Sequence, residues 1–110
     1  MFRPELKKGS MELLILSMLE QKDRHGYEIG QVIERRSGGR LEFRISTLYS
    51  ALYRLEKKDL IKGRWVEKKG QRRRCYYHLT DAGQGILSSR REEWKEFASV
   101  INALTGVSHA

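Results

Sequence analysis

The sequence predicts a mainly α-helical protein carrying one small β-hairpin and ending in a long helix. Three observations carry that prediction. Apolar residues recur at helical spacing in three successive segments as far as Lys58, the period falls to two between Ile61 and Leu79, and beyond Thr80 an apolar residue returns about every seventh position up to Leu104. At 110 residues, the chain has room for one domain around a single modest core.

The elements follow in order. Ser10 is the expected N-cap of a first helix bearing Met11, Leu14, Ile15 and Met18 at helical spacing. Leu13, Leu16 and Leu19 widen that stripe, which implies cover from two directions, one of them a second subunit. "QKDRHG" is expected to be a polar turn. A second helix then spans about His25 to Arg36, with Ile29, Val32 and Ile33 inward, and Gly26 and Gly30 one turn apart mark close helix-on-helix packing. Ser37-Gly38-Gly39 ends it through the left-handed conformation.

A third helix is expected from Ser46 or Thr47 to about Lys58. Leu48, Leu52 and Leu55 form its inward stripe, Ser46, Ser50, Arg54 and Lys57 lie opposite, and Tyr49 and Tyr53 flank the boundary. Asp59 falls where a helix end calls for positive φ. Ile61 to Glu67 and Arg74 to Leu79 alternate as strands, with Cys75, Tyr77 and Leu79 on one face and "EKKGQRR" as the hairpin loop. Thr80 caps a fourth helix with Asp81 at its positive end. Its residues Leu87, Trp94, Phe97, Ile101 and Leu104 keep a seven-residue repeat that only Arg90 interrupts, the pattern of a helix packed lengthwise on a partner.

Composition narrows the function. Hydrophobic residues make up 39% of the chain, charged residues 33%, and the net charge is +8, so a polyanion is the first partner to consider. The single cysteine, Cys75, cannot form an internal disulfide, and no Cys/His cluster has zinc-ligand spacing. We therefore expect a cytoplasmic protein without a metal or cofactor. The most apolar run, Met11 to Leu19, is about half a membrane span, so no membrane partner is expected. Without repeats or a Pro/Gly/Ser linker, residues 1–80 and 81–110 are expected to form one compact unit. No set of nucleophile, base and orienting residue emerges, and an enzyme is not expected.

Three helices, a hairpin with a basic tip and a further long helix have the order of a winged helix-turn-helix. In that geometry the third helix enters the DNA major groove and the hairpin loop, the wing, reaches the neighbouring backbone. Lys68, Lys69, Arg72, Arg73 and Arg74 sit on the loop where cations lie along phosphates and release counterions. The plain alternative is a solvated hairpin that keeps an edge strand from pairing with other chains. The third helix adds Ser46, Thr47, Tyr49, Ser50, Tyr53, Arg54 and Lys57, which include both phosphate donors and base-edge readers. A protein-interaction module built on the same fold is the competing function.

"HGYEI" at His25 to Ile29, "STLYSALYRLEKKDLI" at Ser46 to Ile61 and "RRRCYYHLTDAG" at Arg72 to Gly83 together resemble the PadR family of transcriptional regulators, in its short-tailed subfamily. The resemblance implies a homodimeric winged-helix regulator of double-stranded DNA, usually a repressor, released by a small molecule or stress signal. It also implies DNA contacts by Tyr49, Arg54, Arg73 and Arg74, and a dimer made by the last helix. Met11, Leu14, Leu87, Trp94, Phe97, Ile101 and Leu104 are the expected interface, where Trp94 either simply fills the seam or stacks on a planar aromatic effector. Ser50 stands where the family often has proline, and Asp59 where it often has glycine.

The remaining residues carry less. Tyr27 and Tyr77 are expected in the core, Trp65 in packing, and Cys75 as a small buried hydrophobe. Glu28, Arg35, Arg36 and Glu56 are expected to be solvated charge. His25, His78 and His109 show no ligand spacing.

Overall fold

The structure, a computed structural model, describes residues 2–3, 7 and 9–107. His109 lies outside them. The chain order is α1 (Met11–Gln21), β1 (Arg24–His25), α2 (Gly26–Arg36), α3 (Ile45–Lys57), β2 (Ile61–Val66), β3 (Arg74–Leu79) and α4 (Asp81–Thr105). The strands form one antiparallel sheet in the order β1-β3-β2, and with the helices α1 to α4 of the described residues this is the winged-helix arrangement. No helix among the described residues is long and apolar enough to cross a membrane.

The core forms where the predicted stripes meet. Ile15 and Leu16 of α1, Ile29 of α2, Leu48, Leu52 and Leu55 of α3, Ile61 of β2 and Leu87 of α4 are all buried. Their burial removes the apolar faces of four helices and one strand from water, the main force holding so small a domain together. Gly30 on α2 lets Leu48 approach to within 3.3 Å of where a β-carbon would sit, the close packing that the glycine spacing predicts.

Helix ends differ from expectation in two places. Ser10 makes no side-chain cap; its hydroxyl donates to the Lys7 carbonyl at 2.7 Å while its backbone is already helical. Helix α3 begins at Ile45, with Arg44 in the cap position and no side-chain bond there, so Ser46 and Thr47 lie inside the first turn. Its other end behaves as predicted. Asp59 takes φ 60°, its N–H reaches the Glu56 carbonyl and the Leu60 N–H reaches Leu55, each at 3.0 Å.

The expected polar turn before α2 holds a strand. Arg24 pairs with Tyr77 and His25 with Tyr76, which a two-residue strand cannot announce by periodicity. Arg24 is 5% exposed, and its guanidinium donates to the Met18 carbonyl at 3.1 Å, Gln21 at 3.0 Å and Glu28 at 3.2 Å. Burial of a charge demands such pairing. Glu28 is therefore an ion-pair partner rather than solvated charge, and the Glu56 carboxylate likewise accepts from the Gly63 N–H at 2.9 Å.

At the start of α4, Thr80 accepts from the Gly83 N–H at 3.0 Å and donates to the Asp59 carbonyl at 2.7 Å. A β-carbon on Gly83 would fall 2.0 Å from the Leu60 carbonyl oxygen, so only glycine permits this approach. The helix then leaves the core. Leu87 is fully buried, whereas Trp94, Phe97, Ile101 and Leu104 are 50%, 60%, 40% and 80% exposed.

Three residues of the expected dimer interface pack within the chain itself. Leu87 is fully buried, Met11 is 8% exposed and Leu14 is half-buried against the same core. Arg90, the break in the repeat, donates to the Glu12 carboxylate on α1 at 2.8 Å.

Candidate nucleic-acid interface

Leu48, Ala51, Leu52 and Leu55 anchor α3 in the core, which fixes the rotation of the helix about its axis. Ser46, Thr47, Tyr49, Ser50, Tyr53, Arg54 and Lys57 consequently lie exposed. Tyr49 packs over α2, where a β-carbon on Gly26 would come within 2.7 Å of its ring; the glycine of "HGYEI" makes room for the tyrosine. The Lys57 ammonium lies 5.9 Å from the Tyr53 ring centre, and Arg54 approaches Glu12 of α1 at 3.6 Å.

The wing is built by the β2-β3 register, which pairs Ile61 with Leu79 and Val66 with Arg74 and leaves Glu67 to Arg73 as the loop. The Gln71 N–H bonds the Lys68 carbonyl at 3.0 Å, and Gly70 supplies the positive φ of 75° that this tight turn requires. Lys68, Lys69, Arg72, Arg73 and Arg74 are all exposed. Trp65 is 61% exposed rather than packed inside, and the Arg73 guanidinium lies 4.9 Å from its ring centre, a cation–π contact that orients the arginine.

Helix α3 and the wing meet in an open cleft of about 610 Å³, walled by Tyr27, Ile45, Tyr49 and Trp65 with Arg72, Arg73 and Arg74 beside them. Tyr27, expected in the core, is 55% exposed here, because α2 turns its position outward; Tyr77, at 9%, is buried as predicted. Cys75 is half-buried behind the cleft. Burial pushes its thiol pKa up, against a lowering contact from Tyr77, so it lacks the thiolate character of a redox sensor. Trp94 lies elsewhere, in a groove with Gly9, Leu13, Arg90, Glu93 and Phe97.

His25 ties the cleft to the start of α2. Its Nδ1 accepts from the Glu28 N–H at 3.1 Å. Arg74 Nη1 sits 3.0 Å from Nε2 and 3.3 Å from Nδ1, and Tyr76 meets the ring edge-on at 5.3 Å. The sequence offered a signal for this cap: a polar residue followed three positions later by Glu, as in a capping box.

Burial and the Arg74 charge lower the His25 pKa against the opposing pull of Glu28. A histidine depressed in the folded state contributes stability that is complete above its ordinary value of 6.5 and is lost as pH falls through and below it. Imidazolium also cannot accept the Glu28 N–H. Between about pH 7 and pH 5 the thermal midpoint should therefore fall further in the native chain than in His25→Asn, which caps without titrating; such a cap contributes about 1 kcal/mol. Parallel falls would show that His25 is not the titrating cap.

The family model of the transcriptional regulator PadR-like family matches residues 15–89, which takes in the core, α3, the wing and the start of α4. The chain belongs to that family. It is accordingly a DNA-binding transcriptional regulator. A transcriptional regulator from Clostridium thermocellum superposes with a TM-score of 0.86 at 34% identity, over 94% of this chain and 97% of that one. A PadR family transcription regulator from Clostridium difficile gives a TM-score of 0.76 at 36% identity, over 88% of this chain and 99% of that one. An uncharacterised protein of Lysinibacillus sphaericus is 34% identical over 93% of this chain and 94% of its own length. The family is one of PadR-like transcription regulators, which fits the non-enzyme expectation.

Proposed function

We propose that this PadR-like regulator binds an inverted repeat as a homodimer, with α3 in the major groove, the wing on the backbone and α4 joining the two copies. The observation that carries it is the cleft in which Tyr49 of α3 meets Arg72, Arg73 and Arg74 of the wing, with the rest of the polar face of α3 and the wing lysines Lys68 and Lys69 exposed as well. Ser46, Thr47, Ser50 and Lys57 serve phosphate contacts, Tyr49, Tyr53 and Arg54 reach base edges, and Lys68, Lys69, Arg72, Arg73 and Arg74 hold the backbone. Trp94, Phe97, Ile101 and Leu104 form the seam, supported by their exposure on one helix. Binding represses the neighbouring gene until a signal arrives.

Duplex binding measured against ionic strength tests the reading. Affinity for fragments selected from the source genome should fall linearly with the logarithm of salt, by about 0.9 in slope per phosphate contact. Salt-insensitive or undetectable duplex binding would favour the protein-interaction module instead.

The effector reading rests on Trp94. A two-fold axis near α4 would bring two indoles together, and a planar aromatic compound, cationic or neutral, would stack between them. In a Trp65→Phe variant, a panel of flat dyes and phenolic acids should yield compounds that quench Trp94 and weaken operator binding in parallel. Quenching without release, or none at all, would make Trp94 a packing residue and the signal's entry a different one.

A further inference from the structure

Among the described residues, one carboxylate touches both α3 and α4. Glu12 on α1 receives Arg90 of α4 at 2.8 Å through one oxygen and faces Arg54 of α3 at 3.6 Å through the other. Its side chain is 18% exposed, while that of Arg54 is 52% exposed. The two contacts are unequal. The Arg90 bond is short and charge-assisted, whereas the Arg54 approach is an ion pair beyond hydrogen-bond range, open to water and to any competing anion.

We propose that Glu12 is a positioning residue for DNA reading, holding Arg54 loosely over the edge of α3 because Arg90 neutralises most of its charge. The inference rests on the proposed role of Arg54 at base edges. When DNA arrives, Arg54 leaves a carboxylate that remains paired, so the exchange of Glu12 for DNA is nearly balanced. With Arg90 removed or drawn toward a negative group at the α4 seam, Glu12 would keep Arg54 as its closest neutralising partner and pull it back from the groove. Arg90 lines the groove beside Trp94 and Phe97, so events at that seam reach α3 through two side chains.

The electrostatics agree. Burial acts to raise the Glu12 pKa, but the Arg90 hydrogen bond and the charges of Lys58, Arg90 and Arg54 outweigh it and hold the carboxyl below its ordinary value. Glu12 is therefore an anion at neutral pH. The same geometry explains why an arginine interrupts the apolar repeat of α4: that position reaches Glu12 of α1.

The experiment is a double-mutant cycle read on operator and on random duplex with the full chain. Arg90→Gln should lower operator affinity about fivefold, the order expected for a partly exposed ion pair, with a smaller loss on random duplex. In a Glu12→Gln background the same change should have no operator-specific effect, and Arg90→Lys should restore most of the affinity. Arg91→Gln, which removes an equal charge from the neighbouring Glu20 pair, controls for the long-range field and should show no operator-specific loss. Equal losses from Arg90→Gln in both Glu12 backgrounds, or equal operator-specific losses from the Arg90 and Arg91 changes, would overturn the proposal. Arg54→Ala separates the two levels. If it leaves discrimination between operator and random duplex intact, the reading of α3 fails; if it narrows discrimination while the cycle shows no coupling, only the Glu12 link fails.

Discussion

Phe97→Asp or Ile101→Asp yields a folded monomer that has lost tight operator binding. Phe97 is 60% and Ile101 40% exposed in the single chain, so a carboxylate at either place meets water in the monomer and leaves the core packing intact. In a dimer seam the same carboxylate would be buried without a partner. An uncompensated buried charge destabilises by about 3 kcal/mol or more, which is over a hundredfold in the dimer constant. Each half-site would then be bound separately, without the gain from linking two sites through one seam. Sedimentation at micromolar concentration should show monomer with native helix content, and operator binding should weaken to that of a single half-site. A stable dimer from either variant would place the interface elsewhere.

Changes on α3 and on the wing should fail in different ways. Lys69→Ala and Arg73→Ala remove cations that position the protein on phosphates without reading bases, so operator and random DNA should weaken together. The salt slope should drop by about 0.9 for each phosphate no longer neutralised. Arg73 has a second partner in Trp65, at 4.9 Å, and Trp65→Ala should reproduce part of its loss by freeing the guanidinium. Tyr49→Ala and Arg54→Ala should instead narrow the gap between operator and random DNA, since a good base contact contributes about 1–3 kcal/mol of discrimination. Competition binding with the two duplexes separates these outcomes. Equal losses on both DNAs from the α3 changes would mean that α3 does not read sequence.

The helices and the hairpin were legible because each shows one period over enough residues: Leu48, Leu52 and Leu55 on α3, or Cys75, Tyr77 and Leu79 on β3. Asp59 could be placed as a helix end although glycine is the commoner choice there. What stayed hidden is what no period records. Strand β1 has two residues and owes its existence to pairing with β3. The burial of Arg24 depends on Glu28, Gln21 and a carbonyl of the preceding helix meeting around it.

The candidate interface was legible as two exposed stretches, α3 and the wing. The cleft between them was not. Tyr27, Ile45 and Trp65 line it because of how α2, α3 and β2 are oriented against one another, and single-segment patterns assign aromatic residues to the interior by default. Met11 and Leu87 lie the opposite way, inside the chain's own core. An apolar repeat on a helix does not say which part of its length meets its own core and which part meets another chain.

Operator binding of this kind requires two α3 helices held by one two-fold seam. Hydroxyl-radical footprinting on the selected operator, with the half-sites at their natural spacing and then moved apart by half a helical turn, measures this directly. Two protected half-sites about 34 to 36 Å apart are expected, with loss of tight binding when the added half-turn moves them to opposite faces. Protection of a single site, or unchanged affinity at the altered spacing, would contradict the two-fold arrangement.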